Sequence, residues 1–173
     1  EFEYSRGWKM KKDSDRGWRR VVPSPTPLKV VEGVTLEKLV NDGTIVIAGG
    51  GGGIPVYIDQ KGNLEGMDAV IDKDLASAVI GTEIRADILS ILTSVDKVAI
   101  NFHKPNEKLI DKITVLEAKK HLADGQFPEG SMGPKIRAAI QFIENGGKLV
   151  TISDIKDAQN AITGSAGTRI VPD

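Results

Sequence analysis

The chain has 173 residues, of which 40% are hydrophobic and 27% are charged, and its formal net charge at pH 7 is −1. This size and composition are typical of a globular domain with its own core. The balanced charge predicts neither a nucleic-acid nor a membrane partner, and the absence of cysteine excludes a disulfide framework and cysteine-ligated metals. We therefore expect a cytoplasmic protein without a metal site built from its own side chains.

The first 33 residues differ in composition from the rest of the chain. Residues 1–20 are rich in charged side chains, and prolines at positions 23, 25 and 27 favour an extended backbone. We interpret residues 1–33 as a connector and arm from a truncated N-terminal region, and residues 34–173 as the folded lobe. The basic stretch in this arm contains two tryptophans, but its acidic interruptions are more typical of a solvated surface than of nucleic-acid contact.

The spacing of apolar residues predicts helices that alternate with short strands. The predicted helices cover residues 34–42, 74–84, 115–124, the stretch from GSMGPK to about residue 144, and 155–162. The predicted strands cover residues 44–48, 56–58, 88–93, 98–101, 148–152 and 168–171, and a hairpin with its turn at residues 61–63 joins the second strand to Leu64. Because three of these strands, at residues 44–48, 88–93 and 148–152, are mainly apolar and do not alternate with polar residues, we predict an α/β domain with a largely parallel sheet.

Five consecutive glycines, residues 49–53, follow the predicted strand 44–48 in IVIAGGGGGIP. Glycine costs backbone entropy, so such a run at a strand end indicates close approach of the backbone to a ligand. The run is not a P-loop, because no Gly-Lys-Ser/Thr follows, and it is a poor dinucleotide fingerprint. We expect Gly50, Gly51, Gly52 and Gly53 to direct amides at an anion; a flexible linker is the weaker alternative.

Three charged residues, Asp72, Lys73 and Asp74, stand between apolar segments in AVIDKDLASA, where a helix begins. Asp74 is a sensible N-cap, which is the purely structural interpretation. In the functional interpretation, Lys73 contacts a phosphate while its acidic neighbours hold it in place. We favour the functional interpretation because the charges are flanked by apolar residues on both sides.

A second lysine, Lys135, lies in the first turn of the long helix in GSMGPKIRAAI. A cation there opposes the helix dipole, whereas a phosphate at this N-terminus would attract both the free amides and the ammonium group. We therefore expect Met132, Gly133 and Pro134 to lie beside a bound phosphate. A single solvated lysine is the common alternative.

Four residues, Thr93, Ser94, Val95 and Asp96, follow or end the apolar strand 88–93. Ligands of parallel sheets bind at the carboxyl ends of strands. These residues could position an adenine or ribose, or they could simply turn the chain, and spacing alone leaves both interpretations open.

The candidate residues are two lysines, two carboxylates and a glycine loop, with no visible Ser-His-Asp arrangement. This inventory suits phosphoryl transfer, in which positioning and charge stabilisation supply most of the catalysis. It suits hydride transfer and acyl transfer poorly.

These stretches, with RGWRRVVPSP, NFHKPNEK and GTRIVP, resemble carbamate kinases of the amino acid kinase family from about residue 17 onward. The resemblance implies a three-layer αβα sandwich, incomplete at its N-terminal side, in a cytoplasmic homodimer. It implies phosphoryl transfer between ATP and carbamate with Mg²⁺, giving ADP and carbamoyl phosphate, often in the direction of ATP formation during arginine fermentation.

The resemblance also assigns roles to residues. It implies that residues 34–173 form the nucleotide-binding lobe, and that the aspartate matching Asp74 orients the lysines matching Lys73 and Lys135. These lysines are implied to contact the nucleotide phosphates and the transferred group. The nucleotide itself is implied to lie around LTSVDKV and GSMGPK.

Members of that family also carry an N-terminal glycine loop of the ALGGNAL type and a protruding subdomain with a further lysine, and neither is found in this sequence. We therefore expect this chain alone to bind adenine nucleotide weakly or not at all, and to be inactive without the remaining part. Two alternatives stay open: another enzyme of the amino acid kinase family, and an inactive or nucleotide-sensing fragment.

Overall fold

The computed structural model describes residues 7–13 and 17–173, and every structural statement below refers to that part of the chain. Its strands are β1 (Met10–Asp13), β2 (Gly17–Arg20), β3 (Val56–Ile58), β4 (Leu64–Gly66), β5 (Ile88–Thr93), β6 (Val98–Ile100), β7 (Lys108–Ile110), β8 (Lys112–Thr114), β9 (Leu149–Asp154) and β10 (Thr168–Val171). Its α-helices are α1 (Gly33–Asn41), α2 (Lys73–Glu83), α3 (Val115–Ala123), α4 (Met132–Glu144) and α5 (Ala158–Thr163), and a 3₁₀ turn at Ile155–Asp157 precedes α5.

A four-stranded mixed sheet, in the order β5-β9-β10-β8, lies at the centre of the fold. β5 runs parallel to β9 and β10 runs parallel to β8, whereas β9 and β10 are antiparallel. The predicted α/β class is therefore confirmed, with the β9–β10 pair as its antiparallel component. β5 lies at one edge of this sheet, and no other described strand pairs with its outer side.

Helices cover both faces of the sheet. Side chains alternate along β9, so Val150 and Ile152 share one face and pack in the same core cluster as Ile136 and Phe142 of α4. The opposite face carries Ser153, which lies close to Ala161 of α5 around Gly167. The core between the sheet and α2, α3 and α4 is formed by buried residues that include Ala78, Ile91, Ile113, Val115, Ala118, Ile136, Ala139, Ile140, Phe142, Ile143, Val150, Ile152 and Ile170.

Most predicted elements are present, and their ends differ by a few residues at most. The predicted hairpin is confirmed as β3–β4, and the Asp59 carboxylate closes its turn by accepting hydrogen bonds from the amides of Lys61 and Asn63, each at 2.8 Å. The short strands β7 and β8 were not predicted, because their sequences, KLI and KIT, lack the apolar run that marked the equally short β3 and β6. The β6–β7 hairpin is fastened to β10 by Thr168, whose hydroxyl accepts from the Val98 amide at 2.8 Å and donates to the Ile110 carbonyl.

The predicted strand at residues 44–48 is wrong. Residues 44–49 form no strand, and the side chains of Ile45 and Ile47 are 95% and 99% exposed rather than buried. A β-branched apolar run becomes a strand only where a neighbouring strand completes its hydrogen bonds, and none of the described strands lies beside this one. The glycine run therefore follows a segment without regular structure and not a strand of the central sheet.

The predicted connector and arm lies partly outside the described residues, at 1–6 and 14–16. Within the described part, β1 and β2 form an antiparallel hairpin that the sequence did not predict. Residues 21–30 have no regular structure, and the end of this connector is held by Glu83 of α2, whose carboxylate accepts from the Val30 amide at 2.8 Å. Gly33 leaves room for that carboxylate, because a β-carbon at residue 33 would lie 1.5 Å from Oε2 of Glu83.

None of the helices in the described ranges is long and apolar enough to cross a membrane.

Candidate functional site

The start of α2 orients the first two candidate residues. Asp72 has an extended backbone, and its Oδ1 accepts hydrogen bonds from the amides of Asp74, at 2.9 Å, and Leu75, at 3.1 Å. Asp72 is therefore the N-cap, which excludes the structural alternative in which Asp74 caps this helix. Because Asp72 satisfies the free amides, the carboxylate of Asp74 is available for other partners.

Asp74 bridges two lysines from different helices. Its Oδ2 accepts from Nζ of Lys135 at 2.8 Å, and its Oδ1 accepts from Nζ of Lys73 at 3.0 Å. The side chains of Asp74 and Lys135 are only 11% and 12% exposed, whereas that of Lys73 is 59% exposed. We call these three residues the lysine–aspartate triad; one of its lysines is enclosed and the other faces solvent.

The triad fixes the ionisation of its central carboxyl. Burial raises the pKa of Asp74, but the hydrogen bonds and positive charges of Lys135 and Lys73 outweigh this effect, so the pKa lies below its ordinary value. The hydrogen bond to Asp74 raises the pKa of Lys73 above its ordinary value, against a smaller opposing effect of burial. Near neutral pH, Asp74 is therefore an anion and Lys73 a cation.

The start of α4 brings Lys135 to the triad. The N-cap residue, Ser131, makes no side-chain capping bond, and the Pro128 carbonyl instead accepts from the amides of Ser131 at 3.1 Å and Gly133 at 2.9 Å. Gly133 is needed for this close approach, because a β-carbon there would lie 3.1 Å from the Pro128 oxygen. Met132, Gly133 and Pro134 thus form the first turn, immediately before Lys135, as the sequence predicted.

The glycine run packs against the segment that leads into α2. Gly49, Gly50, Gly52 and Gly53 all have positive φ, which side-chain-bearing residues rarely adopt. Gly52 donates its amide to the Gly49 carbonyl at 2.8 Å, and a β-carbon at residue 52 would lie 2.2 Å from the Ile71 carbonyl oxygen. Gly52 therefore allows this loop to reach the residue directly before Asp72.

A cleft of about 250 Å³ joins the loop to the triad. Its lining consists of residues from the glycine run, the start of α2 and the edge strand β5: Gly50, Lys73, Asp74, Ser77, Leu89, Ser90, Ile91 and Leu92. The cleft thus brings together one predicted glycine and two residues of the triad, with Lys135 joined through Asp74. It has an ammonium group, a glycine backbone and hydroxyls on its walls, which are suitable groups for binding an anion.

The predicted group Thr93–Asp96 lies at the carboxyl end of β5, with Thr93 as the last residue of the strand. Thr93 is in register with Asp154, the last residue of β9, while Ser94 and Asp96 are exposed in the bend that follows. Within the described ranges, no hydrogen bond or ion pair joins these residues to the triad. The structure places them at the sheet edge where ligands bind in α/β folds, and their role stays a prediction.

Sequence reasoning missed several polar residues near the site. Ser77 lies on the same helical face as Asp74, three residues later, and this spacing is the signal that would have found it. Ser90 lines the cleft and accepts a hydrogen bond from Thr151 of the neighbouring strand at 2.9 Å. Asp154 ends β9 beside Thr93, which no local pattern indicates because the two strands are far apart in sequence.

A magnesium ion would find few ligands on this surface. No group of three or more His, Asp or Glu side chains among residues 7–13 and 17–173 is arranged to hold a metal. Both carboxylate oxygens of Asp74 are already bound to lysines. The described residues therefore do not form a metal cage of their own.

The comparison with known proteins agrees with this geometry. Residues 7–154 match the amino acid kinase family. The chain belongs to this family.

Several relatives within the amino acid kinase family are carbamate kinases. The chain is 54% identical over 166 residues to the carbamate kinase of Thermoplasma acidophilum and 50% identical over 166 residues to that of Staphylococcus haemolyticus, with 95% of this chain covered in each case. Its structure is similar to that of a carbamate kinase from Giardia lamblia bound to AMP-PNP, with a TM-score of 0.91, 41% identity and 99% of this chain covered. The amino acid kinase fold is thereby confirmed.

The aligned region is only part of these relatives. This chain covers 53% of each of the two curated carbamate kinases and 54% of the Giardia lamblia chain. It therefore spans about half the length of the amino acid kinase family members that it matches.

Proposed function

We propose that this chain is the nucleotide-binding part of a carbamate kinase. The reaction is the reversible transfer of a phosphoryl group between ATP and carbamate, which gives ADP and carbamoyl phosphate. The observation that carries the proposal is the lysine–aspartate triad beside the glycine run, where Asp74 holds Lys135 at 2.8 Å and Lys73 at 3.0 Å. The enzyme acts as a cytoplasmic homodimer on small-molecule substrates.

The triad has the properties that phosphoryl transfer requires. Negative charge is spread over the oxygens of the transferred group, and catalysis consists mainly of positioning and stabilising that charge. Asp74 is a positioning residue, because both of its oxygens are engaged by lysines and neither is free to contact phosphate. Lys73, whose ammonium group is more exposed, and Lys135 are the cations that contact the nucleotide phosphates and the transferred group.

The glycine run and two other segments would complete the site. The backbone amides of Gly50, Gly51 and Gly53 would approach the phosphoryl end of the cleft, where the positive φ of Gly50 and Gly53 permits close contact. The amide of Gly52 donates to the Gly49 carbonyl instead and stabilises the loop. In the first turn of α4, Gly133 donates its amide to the Pro128 carbonyl and Pro134 has no N–H group, so this turn would act on the phosphates mainly through Lys135. The remaining residues that we assign to nucleotide binding are Asp72, Thr93, Ser94, Val95, Asp96, Met132, Gly133 and Pro134.

Similarity to an AMP-PNP-bound carbamate kinase supports an adenine nucleotide as the ligand. Magnesium would enter with the phosphates of this nucleotide, since Mg²⁺ keeps several waters and is commonly bound through substrate phosphates. The described side chains provide no cage for it, so the protein contributes charge through Lys73 and Lys135 instead.

Calorimetric titration of the 173-residue chain with Mg-ADP tests this proposal. We expect weak binding that is lost in Lys135→Ala. The matched control is Lys148→Ala, which removes an exposed lysine that pairs with Asp87 at 2.7 Å, at the opposite end of β5 and β9. The sequence allows weak binding or none, and the present proposal is the narrower one, that binding is measurable. Absence of binding heat in a sample shown to be folded would therefore contradict it, as would equal binding by Lys135→Ala and the parent.

A substrate panel separates carbamate kinase from other members of the family. The relatives' full-length enzymes would serve as positive controls for carbamoyl phosphate-dependent ATP formation. If this chain, or this chain joined to a complementary half, prefers an amino-acid carboxylate or a nucleoside monophosphate over carbamate, the assignment is wrong.

A further inference from the structure

A second ion pair crosses the start of α4, outside the lysine–aspartate triad. Arg137 donates from both terminal nitrogens to Glu129, with Nη1–Oε1 at 3.0 Å and Nη2–Oε2 at 2.7 Å. Glu129 lies two residues before the N-cap Ser131, and Arg137 lies two residues after Lys135. The pair therefore ties the loop before α4 to the second turn of the helix.

Apolar packing anchors the two ends of this loop, because Phe127 is buried in the core cluster and Met132 packs against it. Ser131 makes no side-chain capping bond, so the polar contacts that close residues 128–133 onto the helix are those of the Pro128 carbonyl and of the Glu129–Arg137 pair. The hydrogen bond to Glu129 raises the pKa of Arg137, and the charge of Asp72 adds to this effect.

We propose that Glu129 and Arg137 are positioning residues that fix the first turn of α4, so that Nζ of Lys135 stays on the Asp74 carboxylate. A bidentate arginine–carboxylate pair restrains orientation as well as distance, which a single lysine contact does not. The part that Lys135 plays in phosphoryl transfer rests on the proposed function, whereas the coupling between the two ion pairs does not.

The alternative is an ordinary surface ion pair without influence on the site. The side chains of Arg137 and Glu129 are 37% and 77% exposed, and pairs this accessible contribute little to global stability. Thermal stability therefore cannot distinguish the two interpretations. The test must report on the Asp74–Lys135 contact itself.

The titration of the Asp74 carboxyl, followed by ¹³C NMR of the full 173-residue chain, provides such a report. In Glu129→Gln, loss of a neighbouring negative charge would by itself lower the pKa of Asp74. Loosening of Lys135 would raise it, because Lys135 holds that pKa down. The sign of the change therefore separates positioning from a direct electrostatic effect, and we expect a rise of about half a pH unit.

Two further variants complete the test. Arg137→Lys keeps the positive charge but cannot make the bidentate contact, and we expect it to raise the pKa of Asp74 as well. Glu144→Gln removes the acidic partner of Lys119 at the other end of α4, and we expect no change. The melting temperature should move by less than about 3 °C in all three variants. An unchanged or lowered pKa of Asp74 in both Glu129→Gln and Arg137→Lys would overturn the proposal.

Nucleotide titration provides an independent readout. We expect the affinity for Mg-ADP to fall about threefold in Glu129→Gln and to stay unchanged in Glu144→Gln. If the parent chain binds no Mg-ADP, the proposed nucleotide function fails, while the carboxyl titration still decides whether Glu129 and Arg137 position Lys135. A raised pKa of Asp74 with unaltered Mg-ADP affinity would contradict the functional part of the inference.

Discussion

Gly81 of α2 lies directly against the buried ring of Phe142 of α4, so that a β-carbon at residue 81 would come within 2.9 Å of Cε2. Gly147 lies on the other side of the same ring, where a β-carbon would come within 2.2 Å of Cε1. Gly81 therefore lets α2 and α4 pack closely, while Gly147 lets the turn after α4 fold back against the same ring. Because Asp74 is carried by α2 and Lys135 by α4, the same packing brings the triad together.

We expect Gly81→Ala to destabilise the protein by about 1 kcal/mol. Overpacking a close-packed core costs about 1–3 kcal/mol, and the better helix propensity of alanine returns about 1 kcal/mol. Urea denaturation of the parent, Gly81→Ala, Phe142→Leu and the double variant measures the effect. The smaller leucine makes room for the methyl group, so Gly81→Ala should cost less in the Phe142→Leu background. Equal costs in both backgrounds would show that the contact with Phe142 is not the cause.

The two lysines of the triad should contribute unequally to stability. Lys135→Met removes the enclosed partner of a buried carboxylate, and we expect the free energy of unfolding to fall by about 2 kcal/mol. The loss is smaller than for a fully buried pair because Asp74 keeps its contact with Lys73. Lys73→Met removes a largely exposed partner and should cost less than about 1 kcal/mol. Chemical denaturation at pH 7 tests the order. A larger loss for Lys73→Met than for Lys135→Met would contradict the burial of the Lys135–Asp74 contact.

Local sequence predicted the members of the triad, and the family resemblance implied that Asp74 orients both lysines. Charged residues between apolar segments identified Lys73 and Asp74, and a lysine at a helix start identified Lys135. Local patterns alone could not predict their contact, because Asp74 and Lys135 are 61 residues apart and meet only through the packing of α2 on α4. Sequence also left open whether Asp74 caps its helix, since Asp72 and Asp74 are both suitable capping residues and only backbone geometry decides.

Strand formation also depends on distant residues that local sequence does not reveal. The run at residues 88–93 was predicted with its observed bounds, since β9 pairs with it along its whole length. The run at residues 44–48 has an equally β-branched pattern but no partner strand in the described ranges, and it remains irregular. Local sequence therefore predicts which segments favour an extended backbone, whereas pairing depends on residues elsewhere in the fold.

Acid should weaken the fold partly through Asp74. Because the pKa of Asp74 is lower in the folded state than its ordinary value near 4, its contribution is present above that value and is lost as the pH falls through the folded pKa. Glu129 and Asp59 also have lowered pKa values, so they too contribute to the loss of stability at low pH. Denaturation of the parent and Asp74→Asn between about pH 2 and pH 7 isolates its part.

In that experiment, the difference in unfolding free energy between the parent and Asp74→Asn should shrink as the pH falls below about 4. Lys73 gives the opposite pH dependence, because its pKa is raised. Its contribution to stability is present below the ordinary lysine pKa and is lost as the pH rises through the pKa of the folded state. A difference that stays constant down to about pH 2 would show that the lysines do not hold the pKa of Asp74 down.

The glycine run provides a graded series of substitutions. Gly52 has φ of +131° and faces the Ile71 carbonyl, so Gly52→Ala combines backbone strain with a contact at 2.2 Å to an atom that cannot easily move. Gly53 has φ of +85° and open space, so Gly53→Ala should cost only the strain of about 1 kcal/mol. Gly51 has neither a positive φ nor a neighbouring atom within 4 Å, so Gly51→Ala should have little effect.

We therefore expect the free energy of unfolding to fall in the order Gly51→Ala, Gly53→Ala, Gly52→Ala, with a loss of about 2 kcal/mol or more for the last. Because Ile71 directly precedes the N-cap Asp72, Gly52→Ala should also displace the start of α2 and raise the pKa of Asp74 in the carboxyl titration. Gly51→Ala is the matched control within the same loop. If Gly51→Ala and Gly52→Ala were equally tolerated, the loop would not be held against residue 71 by close packing, and the glycines would act only as a flexible segment.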